Sequence, residues 1–216
     1  GYGTVASHLG MPDAGIASYT DMVGRVQMIS SVVKTPFIAD GDTGYGGLLN
    51  MQYTIRGYEL AGAAGIQIED QEFPKKCGHT PGRRVIPTAD MVQKIKVAVE
   101  TRSSSDFLVV ARTDARTSYG LDEALKRGEA FAKAGADILF IESPESVDEM
   151  ERICANFDAP LLVNVVDGGS TPVLSKQDYI DLGYQVAIYP GTGFLACAHA
   201  LNSVYGTIKE TGSSVD

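Results

Sequence analysis

The chain has 216 residues, enough for one large domain with a single core but short for two. Hydrophobic residues make up 44% and charged residues 21%, which is ordinary for a globular protein and argues against disorder. Lys and Arg number 18 against 27 Asp and Glu, a net charge of −9. Such an acidic surface repels nucleic-acid phosphates and anionic lipid, so we expect neither partner. The longest apolar stretches, such as residues 194–198, are far too short to cross a bilayer.

The chain has three cysteines, which are too few for a disulfide framework, and an odd number cannot all be paired within the chain. They indicate free thiols in a reducing compartment, so we predict a cytoplasmic protein. Cys154 and Cys197 lie on apolar helical patterns and are predicted core residues. The chain opens on Gly1-Tyr2-Gly3, without an initiator Met or a signal-peptide pattern, so we expect part of a longer protein and cannot judge organelle targeting.

Six apolar runs rich in β-formers are predicted strands buried on both faces. They cover residues 36–40, 65–69, 107–112, 137–142, 160–164 and 185–189, and five of them end in a charged or amide residue. Amphipathic segments of helical period lie between them, for example 89–98 and 121–131. Ser146 to Glu149 has the pattern of a capping box, and Gly62 and Gly135 stand where helix C-termini favour glycine.

Alternating strands and helices predict an α/β fold with a parallel sheet. A doubly wound sheet concentrates its site at one switch point, whereas a barrel draws site residues from many strand ends. Polar residues follow nearly every strand here, so we predict a (β/α)8 TIM barrel in a single domain over 1–216. Six strands cannot close it, so we expect the first two β/α units to be missing.

The segment Asp40-Gly-Asp42-Thr-Gly-Tyr-Gly follows the first strand. Two carboxylates in a glycine-rich backbone suit a hard cation such as Mg²⁺, but an Asp-rich turn capping a helix is equally well supported. Glu69-Asp70, which ends the neighbouring strand, favours the metal interpretation. Asp13 alone would be unremarkable.

The segment Lys75-Lys-Cys77-Gly-His79 is the sharpest local signal. A thiol beside two lysines and a histidine should have thiolate character near neutral pH, and Gly78 allows close approach to a ligand. A surface cysteine of no function is the alternative. A zinc pair is a poorer one, because no second Cys/His pair completes a tetrahedral site. Arg112, Glu142 and Asn164 each end a strand; together they would line one mouth, and singly each could be a buried ion-pair or hydrogen-bonding partner.

Taken in order, these motifs resemble the isocitrate lyase/phosphoenolpyruvate mutase superfamily over essentially the whole chain. They are Asp40-Gly-Asp-Thr-Gly-Tyr-Gly, Ile68-Glu-Asp-Gln71, Lys75-Lys-Cys-Gly-His79, Ala111-Arg-Thr-Asp-Ala115 and Asn164. The sequence is most similar to the short carbon–carbon lyases, which include 2-methylisocitrate lyase, dimethylmalate lyase, oxaloacetate hydrolase and petal death protein. The resemblance implies a TIM barrel that uses Mg²⁺ or Mn²⁺ and a homotetramer of helix-swapped dimers. It also implies that the family's C-terminal helices are missing from this chain.

The resemblance also implies a role for each matching residue. Asp40 would bind the metal directly, and Asp42, Glu69 and Asp13 would hold its waters. Cys77 would be the catalytic thiol of a mobile gate loop, with Lys75, Gly78 and His79 beside it. The implied substrate-contacting residues are Gly1, Tyr2, Arg112, Glu142 and Asn164.

The implied reaction cleaves the C2–C3 bond of a small 2-hydroxy acid, or of a hydrated 2-oxo acid, with the metal as Lewis acid. Cys77 would protonate the resulting enolate, and closure of the gate loop, residues 72–84, would exclude water. Two alternatives stay open. One is phosphonate P–C chemistry, against which the Cys77 motif argues. The other is a non-catalytic ligand-binding barrel, against which the retained carboxylates, Cys77 and Arg112 argue.

Overall fold

The computed structural model describes residues 8–78, 80 and 82–214, and all six predicted strands are present with ends within two residues of those expected. The strands are β1 (Ile38–Asp40), β2 (Gly65–Glu69), β3 (Leu108–Thr113), β4 (Ile138–Ile141), β5 (Leu161–Asn164) and β6 (Val186–Ile188). The helices are α1 (Tyr19–Ser30), α2 (Leu48–Leu60), α3 (Thr88–Thr101), α4 (Ala115–Tyr119), α5 (Leu121–Lys133), α6 (Val147–Asn156), α7 (Lys176–Leu182) and α8 (Thr192–Thr211).

The six strands are all parallel, and their order in the sheet is their order in the chain. A doubly wound sheet would reverse that order at a switch point, so the consecutive order matches the barrel prediction. β1 and β6 are the two edges of the sheet in the part of the chain that the structure describes. Every strand therefore delivers its carboxyl end, and the residue that follows it, to the same edge.

The sheet separates two apolar clusters. The larger lies between the strands and the helices, where α5 buries Leu121, Ala124, Leu125 and Phe131 at helical spacing. The smaller lies on the opposite face and contains Val110, Ile138, Phe140 and Leu162. Strands apolar on both faces, as the sequence predicts for a buried parallel sheet, produce this pair of clusters.

Local sequence signals explain how the helices begin and end. Gly62 and Gly135 adopt φ of +94° and +100° after α2 and α5, which confirms their expected place at helix C-termini. Ser146 caps α6 by accepting a hydrogen bond from the Glu149 amide at 3.1 Å. The reciprocal half of the predicted capping box differs, because the Glu149 carboxylate accepts from Arg116 and from the Glu145 amide instead.

The prediction for Cys197 was wrong. This residue is exposed on α8, a helix with no buried residue, whereas Cys154 is half-buried beside the core as expected. An apolar helical face has the same sequence pattern whether or not it is covered by another element. In the part of the chain that the structure describes, no helix has the length and apolar character to cross a membrane.

Asp70 was counted in favour of the metal site, and the structure corrects that interpretation. Its buried carboxylate accepts from the Thr113 hydroxyl at 2.7 Å, the Asp114 amide at 2.9 Å and Arg127 Nη1 at 3.0 Å. Burial raises the pKa of Asp70 to about 6, against the opposing effect of these donors. Asp70 therefore joins β2, β3 and α5 and does not face the cavity described below.

We predict that Arg127→Leu lowers the free energy of unfolding by about 3 kcal/mol, because it leaves the Asp70 carboxylate buried without its cation. The matched control is Arg152→Leu, since Arg152 pairs with Asp122 at an exposed position. That control should change stability by less than about 1 kcal/mol. Urea denaturation followed by circular dichroism measures both, and equal losses would contradict the structural role of Asp70.

Candidate active site

The carboxyl ends of the strands surround a cavity of about 360 Å³. It brings together residues from six separate segments of the chain that the sequence singles out: Asp13, Asp40, Glu69, Lys75, Cys77, Gly78, Arg112 and Asn164. Asp42 and Glu142 contact members of this set directly. Gly1, Tyr2 and His79 lie outside the described residues, so their roles stay predictions.

A close approach of two strand ends positions the first pair of carboxylates. Gly41 donates its amide to the Gln67 carbonyl at 2.8 Å, and a Cβ built on Gly41 would lie 2.6 Å from Ile66 Cδ1. Asp42 adopts a φ of +47°, which is strained for a residue with a side chain, and its amide donates to Asp40 Oδ1 at 3.2 Å. This turn holds Asp40 and Asp42 at the same strand end.

The ammonium group of Lys75 lies between two of the carboxylates. Its Nζ is 2.7 Å from Asp13 Oδ1 and 2.6 Å from Asp42 Oδ1. Burial alone disfavours the charged amine, but the carboxylates of Asp40 and Glu69 outweigh burial and raise the pKa of Lys75 above its usual value. Lys75 is therefore a permanent cation that partly neutralises the acidic end of the cavity.

The acidic groups nevertheless remain under-compensated. Burial, followed by the charge of Asp40, raises the pKa of Asp42 to about 6 despite Lys75. Burial also raises the pKa of Glu69 well above its usual value, although Arg112 acts in the opposite direction. Because Asp42 and Glu69 are hard to ionise in this cavity, an additional cation beside them would bind favourably. Asp40 differs from them, since its pKa lies below its usual value despite burial, in part because of the Lys75 charge.

The donor set fits a hard divalent cation. Carboxylate oxygens are the ligands that Mg²⁺ and Mn²⁺ prefer, and the buried Glu69 Oε1 has no hydrogen-bond partner among the described residues. Across residues 8–78, 80 and 82–214, no three His, Cys, Asp or Glu side chains are grouped to ligate a metal directly. One direct ligand, Asp40, with the other carboxylates acting through water, requires no such group. The metal assignment stays a prediction.

Arg112 is buried at the end of β3 and faces three carboxylates. It donates from Nε and Nη2 to Asp114 at 2.8 and 2.9 Å, while Nη2 lies 3.2 Å from Glu142 and Nε 3.6 Å from Glu69. Its Cζ also stacks 5.0 Å from the centre of the Phe140 ring. Among the described residues no hydrogen bond uses Nη1, which leaves that amino group for a ligand.

Glu142 and Asn164 continue the same polar surface at the ends of β4 and β5. Asn164 Nδ2 donates to Glu142 Oε2 at 3.2 Å, which fixes the orientation of the amide. Asn164 Oδ1 is then buried with no hydrogen-bond donor among the described residues. An unpaired acceptor at the cavity wall is costly unless a ligand donates to it.

The described residues of the predicted gate loop, 72–78, 80 and 82–84, contact this surface through Gly78. The carbonyl oxygen of Gly78 lies 3.3 Å from the Ser143 hydroxyl, and a Cβ at Gly78 would come within 2.5 Å of Arg112 Nη2. This contact places the neighbouring Cys77 at the cavity. The loop is thus closed, while its mobility stays a prediction.

The sequence analysis missed Arg83, whose side chain is only 3% exposed and pairs with Asp114. Its neighbour Arg84 is 76% exposed and pairs with Glu72. Nothing in the local sequence distinguishes the two arginines. The sequence gives a weak indication for Asp114, because its position two residues after Arg112 at the same strand end allows the two side chains to pair.

Comparison with known proteins gives the chain its relatives. Residues 3–209 match the family model described as phosphoenolpyruvate phosphomutase. The 2,3-dimethylmalate lyase of Eubacterium barkeri is 49% identical over 97% of this chain and 72% of its own. The 2-methylisocitrate lyase of Aeropyrum pernix is 41% identical over 98% of this chain and 68% of its own.

Solved structures of proteins from the same superfamily also match the fold of this chain. Oxaloacetate acetylhydrolase in complex with 3,3-difluorooxalacetate superposes with a TM-score of 0.97 at 33% identity, covering 100% of this chain and 74% of that one. Phosphonopyruvate hydrolase in complex with oxalate and Mg²⁺ superposes with a TM-score of 0.86 at 30% identity, covering 97% of this chain and 73% of that one. These matches confirm the predicted fold class, in which the six strands form a curled, open part of a barrel, and the predicted resemblance.

We predict that Gly78→Ala displaces the gate loop, because its new methyl group would collide with Arg112. Trypsin should then cleave after Lys76 and Arg84 about ten times faster than in the wild type, since proteolysis follows the population of the open form. Gly47→Ala is the control, because nothing lies within 4 Å of a Cβ built there. Unchanged cleavage in Gly78→Ala would show that the contact does not hold the loop.

Proposed function

Because the chain belongs to the phosphoenolpyruvate mutase/isocitrate lyase superfamily, we propose that it is a Mg²⁺- or Mn²⁺-dependent lyase of small carboxylic acids. It cleaves the C2–C3 bond of a 2-hydroxy di- or tricarboxylate, such as a 2,3-dialkylmalate or 2-methylisocitrate, or of hydrated oxaloacetate. The observation that carries the proposal is the joint presence in one cavity of an acidic cluster, the Cys77 thiol and the Arg112 guanidinium.

Asp40 would hold the divalent cation directly, and Asp13, Asp42 and Glu69 would hold its waters. The unpaired Glu69 Oε1 supports this assignment, as does the Mg²⁺ in the phosphonopyruvate hydrolase structure. When bound, the cation supplies Lewis-acid polarisation of the oxygen on C2 of the substrate.

The side chains of β3 and β5 would bind the acid itself. Nη1 of Arg112 can donate to a carboxylate of the substrate, and Asn164 Oδ1 can accept from its hydroxyl group. Both groups are held by other contacts, Arg112 by Asp114 and Asn164 by Glu142, so little side-chain freedom is lost on binding. Negative charge that develops on the departing acid lies near the Arg112 cation, which lowers the energy of the transition state.

Cys77 would complete the reaction as general acid. The C2 hydroxyl group would lose its proton to a carboxylate of the acidic cluster, and its oxygen would then form the carbonyl bond at C2. The C2–C3 bond breaks as this happens, and its electron pair stays on C3 of the departing acid as an enolate. Transfer of the Cys77 thiol proton to C3 quenches the enolate and leaves a thiolate at Cys77. The closed loop keeps bulk water away from the enolate until that transfer occurs.

The proposal is tested by incubating the complete protein and Mg²⁺ with a panel of acids followed by proton NMR. The panel contains 2,3-dimethylmalate, 2-methylisocitrate, other 2-alkylmalates and oxaloacetate, with phosphonopyruvate to report P–C chemistry. We expect cleavage of at least one of the first four classes, abolished by EDTA and restored by Mg²⁺ or Mn²⁺. No turnover, or turnover of phosphonopyruvate alone, would contradict the proposal.

We predict that Cys77→Ser lowers the single-turnover rate by about two to four orders of magnitude, the usual contribution of one general acid. A hydroxyl group fits the same space but is much less acidic than a thiol. The control is Cys197→Ser, an exposed position on α8 that should leave the rate unchanged. If both variants match the wild type, Cys77 is not the proton donor.

Two further features stay proposals: the homotetramer of helix-swapped dimers and the cytoplasmic location. The exposed apolar side chains of α8, among them Leu195, Leu201 and Tyr205, support an intersubunit role for that helix. Sedimentation of the complete protein measures the first, and cell fractionation the second.

A further inference from the structure

We infer that Arg83 is a positioning residue for the site, orienting Arg112 through the carboxylate they share, Asp114. Arg83 belongs to the gate loop but does not line the cavity. The inference rests on the proposed function in one respect, namely that Arg112 binds a carboxylate ligand.

The side chain of Arg83 is anchored like a structural residue although it lies in a loop. Its Nη1 donates to Asp114 Oδ1, and its Nη2 donates to the Thr117 hydroxyl at 2.6 Å and lies 3.5 Å from the Ser143 hydroxyl. Its carbonyl accepts from Ser118 at 2.8 Å. These contacts attach the end of the loop to α4 and to Ser143, two residues after the end of β4.

Asp114 connects the gate loop to the site, because its carboxylate accepts hydrogen bonds from both Arg83 and Arg112. Its Oδ1 accepts from Arg83 Nη1 and from Arg112 Nη2, while its Oδ2 accepts from Arg112 Nε. Burial alone would raise the pKa of Asp114, but Arg112 and Arg83 together hold it below its usual value. The geometry of this carboxylate therefore depends on both arginines.

Without Arg83, the charges around Arg112 are unbalanced. One guanidinium then faces the carboxylates of Asp114, Glu69 and Glu142, which compete for it from different directions. Arg83 neutralises part of the negative charge on Asp114, and it fixes the carboxylate in the plane that makes two hydrogen bonds to Arg112. An anionic ligand that approaches Nη1 benefits from both effects.

Because of this arrangement, loss of Arg83 should affect the affinity for an anion and the affinity for a cation differently. Removing Arg83 adds net negative charge near the cavity and loosens Arg112, so affinity for a dicarboxylate falls. The same added negative charge does not weaken binding of a divalent cation at the acidic end. General damage to the fold would weaken both, which makes the separation diagnostic.

The test uses oxalate and Mn²⁺ as probes of the complete protein. Oxalate binding is measured calorimetrically at saturating Mg²⁺, and Mn²⁺ binding by electron paramagnetic resonance without oxalate. We expect Arg83→Met to weaken oxalate about tenfold and leave Mn²⁺ affinity unchanged or higher. Added guanidinium ion should restore part of the oxalate affinity of Arg83→Met, because it can enter the vacated space. The matched control is Arg84→Met, which removes the same charge one residue away at an exposed position and should leave oxalate affinity unchanged.

Arg83→Lys keeps the charge but cannot contact Asp114 and Thr117 together, so it should weaken oxalate about threefold with Mn²⁺ unchanged. If Arg83→Met does not fold, the oxalate affinity of Arg83→Lys tests whether Arg83 orients Arg112. Oxalate affinity equal to that of Arg84→Met, or parallel losses of oxalate and Mn²⁺, would overturn the inference. So would a wild type that does not bind oxalate. Failure of the proposed function shows separately, as absence of product from the acid panel with these binding results intact.

Discussion

The structure depends on the compensation of buried charge at the carboxyl edge of the sheet. In the part of the chain that the structure describes, seven carboxylates gather there: Asp13, Asp40, Asp42, Glu69, Asp70, Asp114 and Glu142. Four buried cations face them, namely Lys75, Arg83, Arg112 and Arg127. A buried carboxylate without a partner costs several kcal/mol, so each contact in this network constrains the others.

The network divides into a part that supports the fold and a part that remains available to ligands. Asp70 and Arg127 satisfy one another and tie β2 to α5. At the cavity, by contrast, the buried atoms Glu69 Oε1 and Asn164 Oδ1 have no hydrogen-bond partner within the part of the chain that the structure describes. An acidic cavity binds a dicarboxylate alone poorly, but a divalent cation offsets much of the negative charge of these carboxylates. Cation and acid are therefore expected to occupy the cavity together.

Much of this could be predicted from the sequence, because parallel strands produce long apolar runs with polar residues at their ends. That regularity predicts all six strands, and it places Asp40, Glu69, Arg112 and Asn164 at one edge of the sheet, where the structure has them. The C-terminal ends of two helices could also be predicted, because Gly62 and Gly135 adopt the left-handed conformation that other residues avoid.

Side-chain direction and tertiary pairing could not be predicted. Asp70 follows Glu69 directly, and their motif does not show that Asp70 pairs with Arg127 of α5 whereas Glu69 lines the cavity. Arg83 and Arg84 have the same chemistry, and only the packing of the loop buries one and exposes the other. The exposure of Cys197 depends on whether another element covers α8. The sequence of α8 itself does not determine this.

The account is tested most directly by a crystal structure of the complete protein with Mn²⁺ and oxalate. Anomalous scattering locates the manganese independently of any assumption about the site. We predict manganese about 2.1 Å from a carboxylate oxygen of Asp40, with oxalate between the metal and Arg112 and within hydrogen-bond distance of Cys77 or its loop. Manganese away from Asp40, or oxalate bound outside the cavity, would contradict the assignment of this edge of the sheet as the active site.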